Sequence, residues 1–288
     1  MLSQSQEERL AYIDFRICFL GTISRNDLME RFGMQAAAAT RDLAMYRQRA
    51  PDNIRYDTTA KTYQRSDLFS PLYDASSDRI LAALASGFGI DPVGALLPCE
   101  RTASRLESRP SPTLSVLTRA IHQGRAVNAE YCSLDNGRTV REIVPFALAD
   151  NGVRWHVRGY DRNRSAFENF IVTRITRAEI IDTPVEEHET RESDIQWNRI
   201  LELELVPHPS VQHHEAVEVD YAMQDGVLNV NIRAAVAGYI LRLWNVDCSE
   251  DHSLPEPGRH LWLRNWQALY GVENLAMVPG CSGKYACQ

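Results

Sequence analysis

The chain has 288 residues and a mass of 32.7 kDa, which at roughly 100–200 residues per domain predicts two or three domains. With 44% hydrophobic and 24% charged residues, it has the makeup of a soluble globular protein with several cores, which excludes long-range disorder. The net charge of −7 speaks against a uniformly basic nucleic-acid binder. The opening MLSQSQEERL shows no basic segment followed by an apolar run, so no secretory signal is expected. Ile80–Leu97, the most apolar stretch, is broken by Ser86, Gly87, Gly89, Asp91 and Pro92 and is too interrupted to span a membrane. The six cysteines form no C-x-x-C pair, so reduced thiols and a cytoplasmic protein are expected. Only Cys281 and Cys287 lie close enough in sequence to suggest a tail disulfide.

Charge is unevenly distributed. Residues 1–66 carry 10 basic and 8 acidic side chains, residues 67–112 carry 4 and 6, residues 113–182 carry 10 and 8, and residues 183–288 carry 7 and 16. The first segment can present a basic face to DNA because local potential outweighs the total. The acidic last third is expected to point away from it. Only Lys61 and Lys284 are lysines, so almost every cation is an arginine, whose planar fork suits phosphate and carboxylate.

Leu10, Ile13, Ile17 and Leu20 fall at helical spacing and predict a first amphipathic helix over 7–20, stopped by Gly21. Ser24, with Asp27 three residues on, caps a second, shorter helix carrying Leu28 and Phe32. After a turn at Gly33, a third helix runs from about Gln35 to Arg49 and ends before Pro51. Ala39, Leu43 and Tyr46 face its core side. Its opposite face shows Ala36, Ala37, Thr40, Arg41, Arg47 and Gln48. Ile54–Tyr56 and Thr62–Gln64 read as two short strands around the turn 57–61. Helix, short helix, Gly turn, helix, hairpin is the order of a winged helix-turn-helix, and LMERFGMQAAAATRDLAMY resembles the signature of bacterial regulator winged helices, with Arg41-Asp42-Leu43 midway along the recognition helix. The resemblance implies double-stranded DNA as partner. Small residues at Ala36 and Ala37 let the helix N-terminus approach the major groove. Thr40, Arg41 and Arg47 reach base edges or phosphates, and Arg55 and Lys61 of the wing touch the backbone. The helix-starting position, usually a small hydroxyl residue, is Gln35, either a weaker cap or a base-reading side chain. Residues 67–112 read as a connector, with a helix from Ser77-Asp78 to about Gly87 and a polar linker over 100–112.

A helix begins after Pro112, with Leu114, Leu117 and Ile121 on one face and a stop at Gly124. Four strand-like runs follow, 126–133, 139–144, 153–160 and 170–175, separated by turns that include Asp135-Asn136-Gly137 and Asp150-Asn151-Gly152. They predict a small, bent antiparallel sheet or barrel. Alternation places Val153, Trp155 and Val157 on one face and Arg154, His156 and Arg158 on the other. Two arginines around an imidazole make a cationic strip, to which Tyr131, Ser133, Arg141 and Arg174 can add. Such a set suits a phosphate or nucleotide, arginine binding oxygens and aromatics stacking on bases; the competing reading is simply the solvated face of a strand. The residues Tyr131-Cys132-Ser133, Arg141, Pro145, Arg154–Arg158, Tyr160-Asp161 and Phe170–Ile175 resemble a WYL domain, an Sm/SH3-like small β-barrel, over 113–182. The resemblance implies a ligand-sensing role. The naming triplet is here Trp155-His156-Val157, a form similar to the BrxR and CapW subgroup of phage-defence regulators. Glu168-Asn169 stands where that subgroup commonly has an Arg-Asp pair.

Residues 183–199 read as an acidic linker. Leu201–Leu205 alternates strictly and predicts a half-buried strand. Helical character follows near 211–223, strand near 227–234, and helices near 236–244 and 262–270, so residues 200–288 resemble the C-terminal extension that follows WYL domains and serves dimer contacts. His208, His213, His214 and Glu215 are a weak metal set, because adjacent histidines on a helix point about 100° apart. Gly280–Lys284 lacks the spacing of a phosphate loop. Ser133, His156 and Asp161 lack a nucleophile elbow. The expectation is an α+β protein with no cofactor, metal, membrane partner or catalytic residue: a homodimeric repressor of a phage-defence operon, bound to a pseudo-palindromic operator and answering an unknown small-molecule or nucleic-acid effector. A nucleotide-processing accessory enzyme and an adaptor subunit of a defence complex are the alternatives.

Overall fold

The computed structural model describes residues 3–73, 113–254 and 258–281. The connector helix expected near Ser77–Gly87, the polar stretch over 100–112, and Cys99 and Cys287 lie outside these residues. The described residues form two compact units. One is drawn from Met1–Leu148, Asp161–Ala166 and Phe170–Val185, the other from Ala149–Tyr160, Phe167–Asn169 and Glu186–Gln288.

The first unit begins with the predicted helices. Helix α1 spans Gln4–Phe19, α2 Arg25–Phe32 and α3 Ala36–Arg49. Leu10, Ile13 and Ile17 of α1, Leu28 of α2, and Ala39, Leu43 and Tyr46 of α3 share one buried core, as their spacing requires. Ser24 caps α2 reciprocally: Asp27 N–H donates to Ser24 Oγ at 3.3 Å, and Ser24 N–H donates to Asp27 Oδ2 at 2.7 Å. Gly33 makes the turn into α3 at φ 62°. Strand β1 (Thr22–Ile23) pairs with β3 (Thr62–Arg65), which pairs with β2 (Ile54–Asp57), giving the sheet order β1-β3-β2. The wing turn is closed by Asp57, whose Oδ1 accepts from Thr59 N–H at 2.8 Å and Ala60 N–H at 3.0 Å. This is a winged helix-turn-helix. Asp42, in the middle of the Arg-Asp-Leu triplet, is buried and accepts from Arg9 Nε of α1 at 2.5 Å. It sets the recognition helix on α1 rather than facing outward.

Helix α4 (Leu114–Gln123) buries Leu114, Leu117 and Ala120 and ends at Gly124 with φ 62°. Its Arg119 Nη1 donates to the carbonyl of Cys18 at 2.9 Å, docking α4 on the end of α1. Strands β4 (Val127–Ser133), β5 (Gly137–Asp150), β6 (Trp155–Asp161), β7 (Ala166–Ile171) and β8 (Ile175–Ile180) follow. They form one five-stranded sheet in the order β7-β6-β5-β4-β8. Two expectations are corrected. The run 170–175 is not one strand: a 3₁₀ turn over Val172–Arg174 separates β7 from β8. The sheet is open, since no pairing joins β7 to β8 among the described residues, so it is not a closed barrel. Strand β8 suits an edge, because Thr176, Arg177 and Glu179 are exposed polar residues; that polarity also hid it as a strand.

In the second unit, β9 (Ile200–Pro207) is central between β10 (Leu228–Arg233) and β11 (Leu261–Leu263), both antiparallel to it. Leu201, Leu203 and Leu205 point into the core, with Leu241 of a helix over Ala234–Leu243, Leu261 and Leu263. The expected linker over 183–199 holds two 3₁₀ turns and a short helix α5 (Ile195–Asn198) capped by Asp194. Helix α6 is His214–Asp220 and α7 is Ala234–Leu243. The helix expected over 262–270 is instead strand β11 and a 3₁₀ turn at Trp266–Leu269. Leu261 and Leu263 alternate inward against β9, and the period of two wins over helical propensity. Gly238 of α7 lies where a Cβ would come within 2.0 Å of the Asn274 carbonyl, so only glycine permits that approach. Among the described residues no helix is long and apolar enough to cross a membrane.

Candidate functional site

The outward face of α3 is the candidate nucleic-acid interface. Gln35, Ala36, Ala37, Thr40, Arg41, Arg47 and Gln48 are all exposed, and Ala44, which the sequence reading did not name, completes the surface. Gln35 makes no side-chain cap hydrogen bond, so its amide is left to the solvent side. Thr40 donates its hydroxyl to the Ala36 carbonyl at 2.9 Å, which leaves its oxygen as an acceptor. Arg41 and Arg47 make no ion pair among the described residues, whereas Arg49 is taken by Glu7 at 3.2 Å and Tyr73 at 3.1 Å. Arg55 and Lys61 are exposed on the wing. Lys61 sits at φ 53°, a left-handed position that closes the tight turn. The chemistry on offer is a short, small-residue approach at the helix start, two uncommitted guanidinium forks along the helix, and two cations on the hairpin.

The second candidate set is divided between the two units. Tyr131, Ser133, Arg141 and Arg174 belong to the first, and Arg154, His156 and Arg158 to the second. The strip on β6 is not a continuous cationic surface. Every residue of β6 is buried; only Arg154, just before it, is exposed. Arg158 is held by Asp194 in a two-pronged pair, Nε to Oδ2 at 2.8 Å and Nη2 to Oδ1 at 3.1 Å. His156 stacks on Tyr239 of α7 with ring centroids 4.9 Å apart, and burial holds its pKa down at about 4, so it is neutral at pH 7. The parity predicted for β6 stands, but both of its faces are covered, which parity cannot reveal. In the first unit, Arg141 is buried and committed to Asp161 Oδ2 at 2.7 Å and Thr139 Oγ1 at 3.1 Å. Tyr131, Ser133 and Arg174 are half-buried, and Tyr131 meets Phe170 edge-on at 5.3 Å.

Asn169 donates from Nδ2 to the Ala235 carbonyl at 3.1 Å, a link to the start of α7. His208 is buried, with Nδ1 on Ser210 Oγ at 2.7 Å and Nε2 on Asp247 Oδ2 at 3.2 Å; it joins two loops of the second unit. His213 pairs with Glu215 at 3.3 Å. No group of three or more metal-ligating side chains is assembled among the described residues. Asp194, Tyr239 and Arg9 had no sequence signal of their own, since each acts on a group far away in the chain.

Three family models match the chain. They are the BrxR transcriptional regulator winged helix-turn-helix domain over residues 5–86, the WYL domain over 112–180 and the BrxR transcriptional regulator C-terminal dimerization domain over 200–269. With the winged helix and its outward arginines, these define the class as a transcriptional regulator with a WYL domain behind a DNA-binding head. The relatives are more particular. The DNA-binding transcriptional repressor CapW of Escherichia coli is 30% identical over 277 residues, 93% of this chain and 91% of that protein. CapW of Pseudomonas aeruginosa is 29% identical over 264 residues, covering 87% and 86%. CapW of Stenotrophomonas maltophilia is 31% identical over 255 residues, covering 84% of each. The chain belongs to the BrxR/CapW family of transcriptional regulators.

Proposed function

We propose that this protein is a cytoplasmic, homodimeric repressor of a phage-defence operon. In this reading, α3 of each subunit enters the major groove at one half of an inverted-repeat operator. The observation that carries it is the division of α3 into a face locked to the core through Leu43, Tyr46 and the Arg9–Asp42 pair and a face, with Arg41 and Arg47, left wholly to solvent. Two-fold symmetry of the protein then demands a pseudo-palindromic site. The buried pairing of Arg141 and Arg158 favours a binding and regulatory role over a nucleotide-processing one, because it takes away the donors an active site would need. For an effector, Tyr131, Ser133 and Arg174 of the first unit keep partial access; a nucleotide or nucleic-acid fragment suits these groups. The effector must bind the DNA-competent and DNA-free shapes unequally in order to switch the protein.

Fluorescence anisotropy with the duplex upstream of this gene's operon, against a scrambled duplex and across a salt series, tests the reading. The expected result is a preference of about 10³-fold or more with a steep salt slope. Equal, weak binding to both would transfer the weight to an adaptor role in a defence complex. Arg41→Ala should weaken specific binding about 10- to 100-fold with an unchanged circular dichroism spectrum; unchanged affinity would remove Arg41 from the interface. For the dimer, the exposed apolar pair Val219 (80% exposed) and Tyr221 (39%) at the end of α6 is the proposed contact. Val219→Asp should weaken self-association at least about tenfold, as expected when an interface core position acquires a charge, read by light scattering across a dilution series; an unaltered dimer would place the contact elsewhere.

A further inference from the structure

Two segments of the C-terminal domain meet at backbone distance. Cys248 N–H donates to the Pro279 carbonyl at 3.0 Å. A Cβ on Gly280 would lie 2.4 Å from Ser249 N and 2.9 Å from Asp247 Oδ1, so the approach exists only because residue 280 is glycine, at φ 83°. This closeness brings two buried thiols into one core: Cys248 is 0% and Cys281 3% exposed, and both belong to the same hydrophobic cluster. The sequence drew attention to Cys281 beside Cys287; the fold supplies Cys281 with Cys248.

We propose that Cys248 and Cys281 are a redox modification site, a dithiol that closes reversibly to an intramolecular disulfide and clamps the end of the C-terminal domain onto the loop after α7. Their roles differ. The neighbouring Cys248 thiol holds the Cys281 thiol below its ordinary pKa, while Cys281 and burial push Cys248 up, the Cys248 thiol itself donating to the Val246 carbonyl at 3.8 Å. Cys281 is therefore the attacking sulfur. With a hydroperoxide as oxidant, the Cys281 thiolate attacks the outer peroxide oxygen. The O–O bond breaks, leaving a sulfenic acid on Cys281 and, after proton uptake, water or an alcohol. The Cys248 sulfur then attacks the Cys281 sulfur, the S–O bond breaks and water departs with the thiol proton. Two electrons pass from the two sulfurs to the peroxide, and a small thiol reverses the step by exchange. Burial makes reaction wait for local opening of the 279–281 segment, so exposed Cys132 should oxidise first. The site is independent of the DNA-binding reading.

The test uses the full chain, treated with hydrogen peroxide until Cys132 is fully oxidised, then denatured, alkylated, proteolysed and read by mass spectrometry. The expected product is a peptide pair joining Cys248 to Cys281 with loss of two hydrogens, abolished by dithiothreitol and absent in Cys281→Ala. The same treatment should raise the melting temperature of the wild type by about 5 °C, the scale of a cross-link of this loop length, and leave Cys281→Ala and Cys248→Ala without the oxidant-dependent rise. Full alkylation of both thiols after peroxide, a Cys281–Cys287 link in their place, or the same rise in the variants would overturn the proposal.

Discussion

Arg158→Ala should destabilise the protein by about 3–5 kcal/mol, the range for removing one member of a buried ion pair. The guanidinium and the Asp194 carboxylate are 4% and 1% exposed, and their contact is bidentate at 2.8 and 3.1 Å. With Arg158 gone, Asp194 retains the Trp197 N–H at 3.1 Å, too little for a buried anion. The cost therefore comes from the stranded carboxylate more than from the lost pair. Replacing both by apolar residues, Arg158→Met with Asp194→Leu, should recover most of the loss. It should leave about 1 kcal/mol unrecovered, because Asp194 also caps α5. Thermal and urea unfolding of the two variants beside the wild type measures this. A loss below about 1 kcal/mol for Arg158→Ala would show the pair to be dispensable and return Arg158 to the set of effector ligands.

Acidification should weaken the fold between pH 6.5 and 4 through His156. An unfolded histidine titrates near 6.5, and burial against Tyr239 lowers the folded value to about 4. Between these values the unfolded chain holds a proton that the folded chain refuses, so lowering the pH draws the equilibrium toward unfolding. The contribution is fully present above pH 6.5 and is lost as the pH falls to 4, amounting to about 3 kcal/mol at most. His156→Phe keeps an aromatic ring for Tyr239 and has no proton to take up. Melting temperatures at pH 7 and pH 5 should therefore fall less for the variant than for the wild type. An equal fall in both would assign the acid sensitivity to other groups.

Much of the N-terminal head is readable without coordinates because its signals are local. The spacing of Leu10, Ile13 and Ile17, the Ser24–Asp27 cap, the turn at Gly33 and the core stripe Ala39, Leu43, Tyr46 all act within a few residues, and each has its predicted place. The solvent face of α3 is legible for the same reason, being the complement of that stripe. The β6 strip is the opposite case. Its alternation is correctly read, yet the answers to Arg158 and His156 are Asp194, 36 residues on, and Tyr239, on a helix of the C-terminal domain. A period of two says which side chains share a face and nothing about what covers it. Where local signals compete, as at 261–270, the neighbour decides: Leu261 and Leu263 become a strand because β9 offers them an edge.

The order of the modules, winged helix, WYL sheet and C-terminal α+β domain, and the outward placement of Arg41 and Arg47 on α3 are thus written in the local pattern of residues. Caps, turns and hydrophobic periods are short-range properties of the chain, and they were enough for that. Long-range packing sets the rest: the sheet is open, Arg141 and Arg158 are neutralised in the interior, His156 is buried and uncharged, and the backbone beside Cys281 meets Cys248. Each of these depends on which distant side chain is brought opposite, and desolvation makes that choice decisive for charge.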